Sequence, residues 1–249
     1  MWFEPVQVPD QIPGGAAGGQ QYPVGFETPP GGEIGSSKHV LNDHYYCCVL
    51  GPGICKDMGE PDPKFNAACD TWVDQRFTKR NEDAVRLGLP LFISEFGACL
   101  TDEPCTAEIK RTGDQSDKYL VGWAYWQFKF FEDLTTSAGT GSEGFYNADG
   151  TLQDWKVKAL ARSYMMATQG RLTGMDFNST TSAFVGEFTV DTSITAPTVT
   201  YLNSEYWYPN GYTYTLMVNG KAPASKQYTV DVTDPQRLSI QFTDKALNA

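Results

Sequence analysis

A junction between helix and strand constrains this chain more than any other feature. From about Lys64 to Leu87, Phe65, Cys69, Trp72, Val73 and Phe77 fall at helical spacing until Gly88 and Pro90 end the period. The apolar run Leu91-Phe92-Ile93-Ser94-Glu95-Phe96-Gly97 begins at once. A run this apolar reads as a strand buried on both faces, as in a parallel sheet. A carboxylate at its tip is costly unless it reaches polar partners or a cleft. Glu95 is therefore either a satisfied structural acid or a group held at a strand end for chemistry.

The same order recurs along the chain. A short strand spans the run from Lys38 to Cys47 and carries His44, Tyr45 and Tyr46 near its end. Residues 106–119 are polar and helical in pattern, residues 120–128 form the next strand, and Asp154 caps a helix that runs to Gly170. Val157, Leu160, Ala161, Tyr164 and Met165 make its apolar stripe. Alternating strands and helices of this kind imply an α/β layer or barrel. The segment from Gly14 to Ser37 is rich in Gly and Pro and reads as a long loop. Beyond Gly170 the texture changes to short β-rich runs at 182–191, 196–204, 211–220, 226–233 and 237–243, with a hairpin signal at Val218-Asn219-Gly220-Lys221. The expected organisation is an α/β domain over residues 1–170 and a small antiparallel β-sandwich over 171–249.

Composition removes several function classes. A net charge of −11 with no basic stripe argues against nucleic acid. No apolar run approaches the roughly 20 residues that span a bilayer. The opening residues lack the basic-then-apolar pattern of a signal peptide and read as the tail of a strand. Six cysteines with two histidines and no Cys-x-x-Cys pair point to disulfides in an oxidising compartment rather than to zinc. Asn178-Ser179-Thr180 is a glycosylation sequon that fits such a compartment. No metal or cofactor is expected.

Read together, the motifs resemble the C-terminal half of a clan A glycoside hydrolase of family 5, in its endoglycoceramidase-like branch. The matching residues, in order, are Phe3-Glu4-Pro5, His44-Tyr45-Tyr46, Ile93-Ser94-Glu95-Phe96-Gly97 and Gly122-Trp123-Ala124-Tyr125-Trp126-Gln127, then the run from Leu160 to Gly170 and that from Ser204 to Leu216. The resemblance implies a (β/α)8 barrel with its active site at the C-terminal strand ends. This chain would supply strands five to eight, followed by the sandwich. It contains no Asn-Glu-Pro, the motif that carries the family's acid/base on strand four. Glu4 stands one strand before His44 where the acid/base should stand two before it, so it is placed on strand five at the cleft's rim. The chain alone is then expected to be poorly folded and nearly inactive.

The resemblance also assigns roles. Glu95 is the expected nucleophile of a retaining mechanism, in which two carboxyl groups flank the scissile bond roughly 5–5.5 Å apart. His44 and Tyr46 are two apart on a strand and so leave it on one face; the resemblance sets them in the catalytic centre, the Tyr46 hydroxyl near the nucleophile. Tyr45 should point into the core or the helix layer. Trp126 is the expected stacking platform for the reacting sugar, Trp123 a core residue, and Gln127 and Lys129 candidates for lining the sugar or lipid side. The implied partner is a glycosphingolipid or related β-glucoside, with peripheral contact at a membrane surface, in a secreted or lysosome-like setting. A β-glucanase or steryl-glucosidase of the same family is the alternative enzyme, and a non-catalytic glycolipid- or carbohydrate-binding remnant the alternative class.

Overall fold

The structure, a computed structural model, describes residues 1–5, 23–56, 59–100, 102–129 and 143–247. The chain divides into two compact units, Met1–Val157 and Lys158–Ala249. The first holds a four-stranded parallel sheet whose spatial order is its chain order: β1 (Trp2–Phe3), β2 (Val40–Tyr45), β3 (Leu91–Phe96) and β4 (Gly122–Trp123). Parallel neighbours need long crossovers. Here α1 (Asn66–Leu87) joins β2 to β3, and α2 (Asp102–Tyr119) joins β3 to β4. The strand expected over 120–128 is shorter than its sequence suggests. Beyond Trp123, among the described residues, one further bridge, Trp126 to Gly97, continues it.

Helix α1 ends where the sequence says it should, on Gly88, whose amide donates to Ala84 and Val85 carbonyls. Its buried face holds the expected Cys69, Trp72, Val73 and Phe77. Tyr45, fully buried, turns to this helix and packs edge-on against Phe77 with ring centroids 4.2 Å apart. The same face also carries charge that apolar periodicity does not reveal. Arg76 donates through Nε and Nη2 to the two oxygens of Asp43, at 2.7 and 2.6 Å. Arg80 Nε lies 3.2 Å from Asp43, and Arg80 Nη1 lies 3.1 Å from Asp83. All four groups are buried. Burial of such charges is tolerable only because each faces an opposite charge at hydrogen-bonding range.

Three disulfides, Cys47–Cys69, Cys48–Cys55 and Cys99–Cys105, fasten the segments that follow β2 and β3. All six cysteines are thereby paired.

The second unit has an antiparallel sheet ordered β5 (Tyr164–Ala167), β8 (Thr198–Tyr201), β10 (Arg237–Phe242), β9 (Tyr228–Asp231), and a separate hairpin of β6 (Gly170–Asn178) with β7 (Ala183–Val190). Alternation along β10 buries Leu238, Ile240 and Phe242 with Val190, Leu202 and Leu247. Gln169 is fully buried, and its side chain bonds both the amide and the carbonyl of Phe242.

Three sequence expectations are corrected in this region. The helix from Asp154 stops at Leu160 (α3, Asp154–Leu160), and Tyr164–Ala167 is a strand paired with β8. Arg162 and Ser163 are the cause. The buried guanidinium bonds the Phe177 carbonyl and lies over its ring, and the hydroxyl meets Tyr208, which draws the chain out of the helix. Tyr164, assigned to the apolar stripe, is exposed. Gly170 accordingly opens β6 rather than closing a helix. Finally, 211–220 forms no strand, although its turn is as expected: Asn219 and Gly220 have φ of 50° and 74°, and Val218 and Lys221 exchange backbone hydrogen bonds.

Candidate active site

The site grows from the seam between β2 and β3. On β2, Leu41, Asp43 and Tyr45 are buried, Asp43 and Tyr45 against α1, which turns Asn42 and His44 to the opposite face. On β3, Leu91 and Ile93 are buried, and simple alternation would send Glu95 to the same side as Ile93. The pairing register prevents this. Asp43 pairs with Ile93 but His44 pairs with Glu95, so Ser94 is an extra residue at a bulge. A bulge shifts the parity of everything after it and re-aims side chains. Phe96 returns to the buried side and Glu95 comes to lie beside His44.

The result is a connected polar cluster. The Tyr46 hydroxyl donates to Glu95 Oε2 at 3.2 Å. His44 Nδ1 lies 3.4 Å from the same oxygen, and its Nε2 lies 3.1 Å from Glu4 Oε2 and 3.0 Å from Ser94 Oγ. Asn42 Nδ2 donates to Glu4 Oε2 at 3.4 Å. Glu95 is about a quarter exposed, with 27% of its side chain accessible, so its carboxylate can meet a ligand. Burial, and then the negative charge and hydrogen bond of Glu95, push the Tyr46 phenol far above its ordinary pKa. Tyr46 therefore remains a donor at every working pH.

Gly97 explains the end of the Ser-Glu-Phe-Gly run. Its φ is +104°, and a Cβ there would stand 2.0 Å from the Tyr125 ring. Gly97→Ala should therefore lower the melting temperature by several degrees, a cost of about 1–3 kcal/mol for a side chain in that backbone region. Thermal unfolding checks it.

Trp126 and Gln127 stand on a carboxylate the sequence did not single out. Glu143, 2% exposed, accepts from Trp126 Nε1 and Gln127 Nε2 on one oxygen, each at 3.1 Å, and its backbone carbonyl accepts from the Gln127 amide at 2.6 Å. Gln153 and Lys156 brace this segment, the first through the Phe145 carbonyl and the second through that of Gly144 at 2.8 Å. Trp123 is half-buried and meets Phe96 edge-on. Lys129 is exposed at the end of the run, beside the exposed ring of Phe128.

Lys156 carries a second prediction. Burial pushes its ammonium down to about 7, against an opposing pull from Glu60. Between that value and the ordinary lysine range the unfolded chain holds the extra proton, so the Lys156 contribution to stability rises with pH across this window. Wild-type stability should gain at least about 1 kcal/mol relative to Lys156→Met between pH 7 and 9, since one pKa unit is worth about 1.4 kcal/mol. Denaturant titrations at the two pH values read the difference.

Asn42 shares the parity of His44 and was open to discovery from period two alone. Ser94 and Glu143 were not: one is a bulge, the other lies in no periodic segment. Among the described residues no cluster of His, Cys, Asp or Glu could hold a metal ion, and no helix is long and apolar enough to cross a membrane.

A carboxylate at the C-terminal end of a parallel strand, steadied by a phenol and an imidazole, with an indole on the next strand's continuation, is an arrangement suited to glycoside chemistry. The chain belongs to glycoside hydrolase family 5: residues 12–132 match the cellulase (glycosyl hydrolase family 5) profile and residues 162–246 the family 5 C-terminal domain. Within that family it is 26% identical over 209 residues to an endoglycoceramidase of Hydra vulgaris, covering 83% of this chain and 35% of that one. Its fold is shared with endo-glycoceramidase II from Rhodococcus sp. in a ganglioside GM3 complex, at a TM-score of 0.66 and 20% identity over 98% of this chain and 47% of that one. Sterylglucosidase 1 of Cryptococcus neoformans aligns with a TM-score of 0.53 and 12% identity, over 82% of this chain and 35% of that one. The chain thus spans about a third to a half of the length of these relatives.

Proposed function

We propose that this chain carries the nucleophile side of a retaining β-glycosidase that cleaves the bond between a glycan and a ceramide-type lipid. The observation that carries the reading is the convergence of Tyr46 and His44 on one oxygen of Glu95. The two partners hold that oxygen in a fixed position, as attack on an anomeric carbon requires. In the reaction a Glu95 oxygen attacks the anomeric carbon, the glycosidic C–O bond breaks, and the departing oxygen takes a proton. The glycosyl ester on Glu95 is then cleaved by water, whose proton returns to the base that activated it. The proton donor is a carboxyl outside these 249 residues, and the parallel sheet is strands five to eight of a barrel completed by the preceding segment. The strands from Tyr164 to Phe242 form the accompanying β-sandwich. Trp126 lies under the reacting sugar, with Gln127 and Lys129 toward the rim.

The glycosphingolipid assignment is supported by the endoglycoceramidases among its relatives. Three disulfides suit a secreted or lysosome-like compartment, where they persist. An aryl β-lactoside with a dinitrophenolate leaving group needs no protonation, so it reports the nucleophile even without the acid. Proton NMR of the first-formed sugar should show the β anomer. Initial release of the α anomer would refute the double displacement.

Tyr46→Phe isolates the phenol's contribution. Losing a hydrogen bond to a charged group is worth about 1.5–3 kcal/mol, or roughly 10- to 150-fold in rate. The loss should fall on kcat for the activated lactoside, read by steady-state kinetics at fixed pH.

A further inference from the structure

We propose that Glu143 is a positioning residue that makes the Trp126 ring a platform selective for positive charge, and so for the oxocarbenium-like transition state over the neutral ground state. The inference rests on the reading of Trp126 as the sugar platform. Two observations carry it. Glu143 Oε2 accepts the indole Nε1–H of Trp126 at 3.1 Å, and the same oxygen accepts Gln127 Nε2. Glu143 is almost fully buried, so its charge acts with little screening from water.

An indole is a donor only, and its π face is already negative. A buried carboxylate on the N–H fixes the ring's rotation and draws the proton away, which pushes electron density toward the face. A cation over a tryptophan face is attracted by that negative potential. A glycosidase transition state places positive charge on the anomeric carbon and ring oxygen, whereas the bound substrate carries none there. A contact that strengthens only as charge develops raises kcat rather than lowering KM. Glu143 would touch neither substrate nor reacting atoms; it acts through Trp126.

Its location supports the assignment. Glu143 sits in a segment laid against residues 127–128, with its carbonyl on the Gln127 amide and the Phe145 amide on the Phe128 carbonyl. Its negative charge also contributes to the raised pKa of Tyr46, which places it within electrostatic reach of the Glu95 cluster.

The test compares wild type with Glu143→Gln, which keeps an acceptor of the same shape and removes the charge. Affinities are measured by calorimetry for two probes: lactose, which is neutral, and an isofagomine-type lactose mimic, which carries a protonated nitrogen at the anomeric position. The expected result is that Glu143→Gln weakens the cationic mimic about fivefold more than lactose, the scale of a partly desolvated cation–π contact. The Trp126 indole proton resonance, assigned by its absence in Trp126→Phe, should move upfield in Glu143→Gln. Equal weakening of both probes, or no weakening of either, would overturn the proposal even with the resonance shifted. If wild type, with the barrel completed as proposed above, binds neither probe, both the platform and the glycosidase reading fail. If both bind and only the selectivity is missing, the glycosidase reading survives alone.

Discussion

With the barrel completed as proposed above, Glu95→Gln should reduce hydrolysis of an activated aryl β-lactoside by at least about 10⁴-fold, the scale seen when a covalent nucleophile is removed, while leaving thermal stability within about 0.5 kcal/mol. The amide is isosteric and can still receive the Tyr46 hydroxyl at the 3.2 Å seen for the carboxylate, but it has no charge with which to form the ester. Glu95→Ala sharpens the result. It opens space at the bulge, and added azide, a small anion, can attack from the vacated side. The expected product is the α-glycosyl azide, made in a single inversion, with rate rising in proportion to azide. Full activity in Glu95→Gln, or azide having no effect on the alanine variant, would place the nucleophile elsewhere. The same substitution bears on the structural reading, because a carboxylate needed only to satisfy a strand end would change stability and spare turnover.

The second large effect is on folding. Asp43→Ala should cost about 3–5 kcal/mol, because it leaves Arg76 and Arg80 as buried charges without their common partner. Asp43 is fully buried, accepts two bonds from Arg76 and faces Arg80 at 3.2 Å. For a chain of this size the loss corresponds to a drop in melting temperature of roughly 6–20 °C. Replacing the bidentate pair together, Asp43→Leu with Arg76→Met, should recover part of the loss, since an apolar packing of similar volume can match a buried ion pair and Arg80 keeps Asp83 at 3.1 Å. A single variant that unfolds at the wild-type temperature would show that the charges are solvated, contrary to their burial.

These two sites mark where sequence reading succeeds and where it stops. Glu95 stands out locally by its strand-end position, and period two sets His44 and Tyr46 on one face; that the Tyr46 hydroxyl should meet Glu95 came from the family resemblance, and the two lie 3.2 Å apart. What was not legible is why Glu95 and His44 meet. Strict alternation along Leu91–Phe96 would bury Glu95 with Ile93, and the extra Ser94 that reverses it appears only in the register with β2. Likewise the apolar stripe of α1 was visible, but Arg76, Arg80 and Asp83 on its buried side were hidden. The two arginines are paired by Asp43 from a strand more than thirty residues earlier, and Asp83 by Arg80. The misread helix beyond Leu160 has the same origin: Tyr164 and Met165 fit a helical stripe, and pairing with Tyr201 and Thr200 overrode it. Glu143 carried no local signal at all, because its partners Trp126 and Gln127 lie across a connection rather than along an element.

The most direct test of the nucleophile is to trap it. A dinitrophenyl 2-deoxy-2-fluoro-β-lactoside has a leaving group that departs unprotonated, while the fluorine destabilises the oxocarbenium-like transition states and slows release of the ester. Peptide mapping by mass spectrometry after incubation should find one sugar adduct, on Glu95 within Leu91–Phe96, and none in Glu95→Gln. An adduct on Glu4, Glu143 or any other residue, or an adduct that persists in the Gln variant, would contradict the assignment of Glu95.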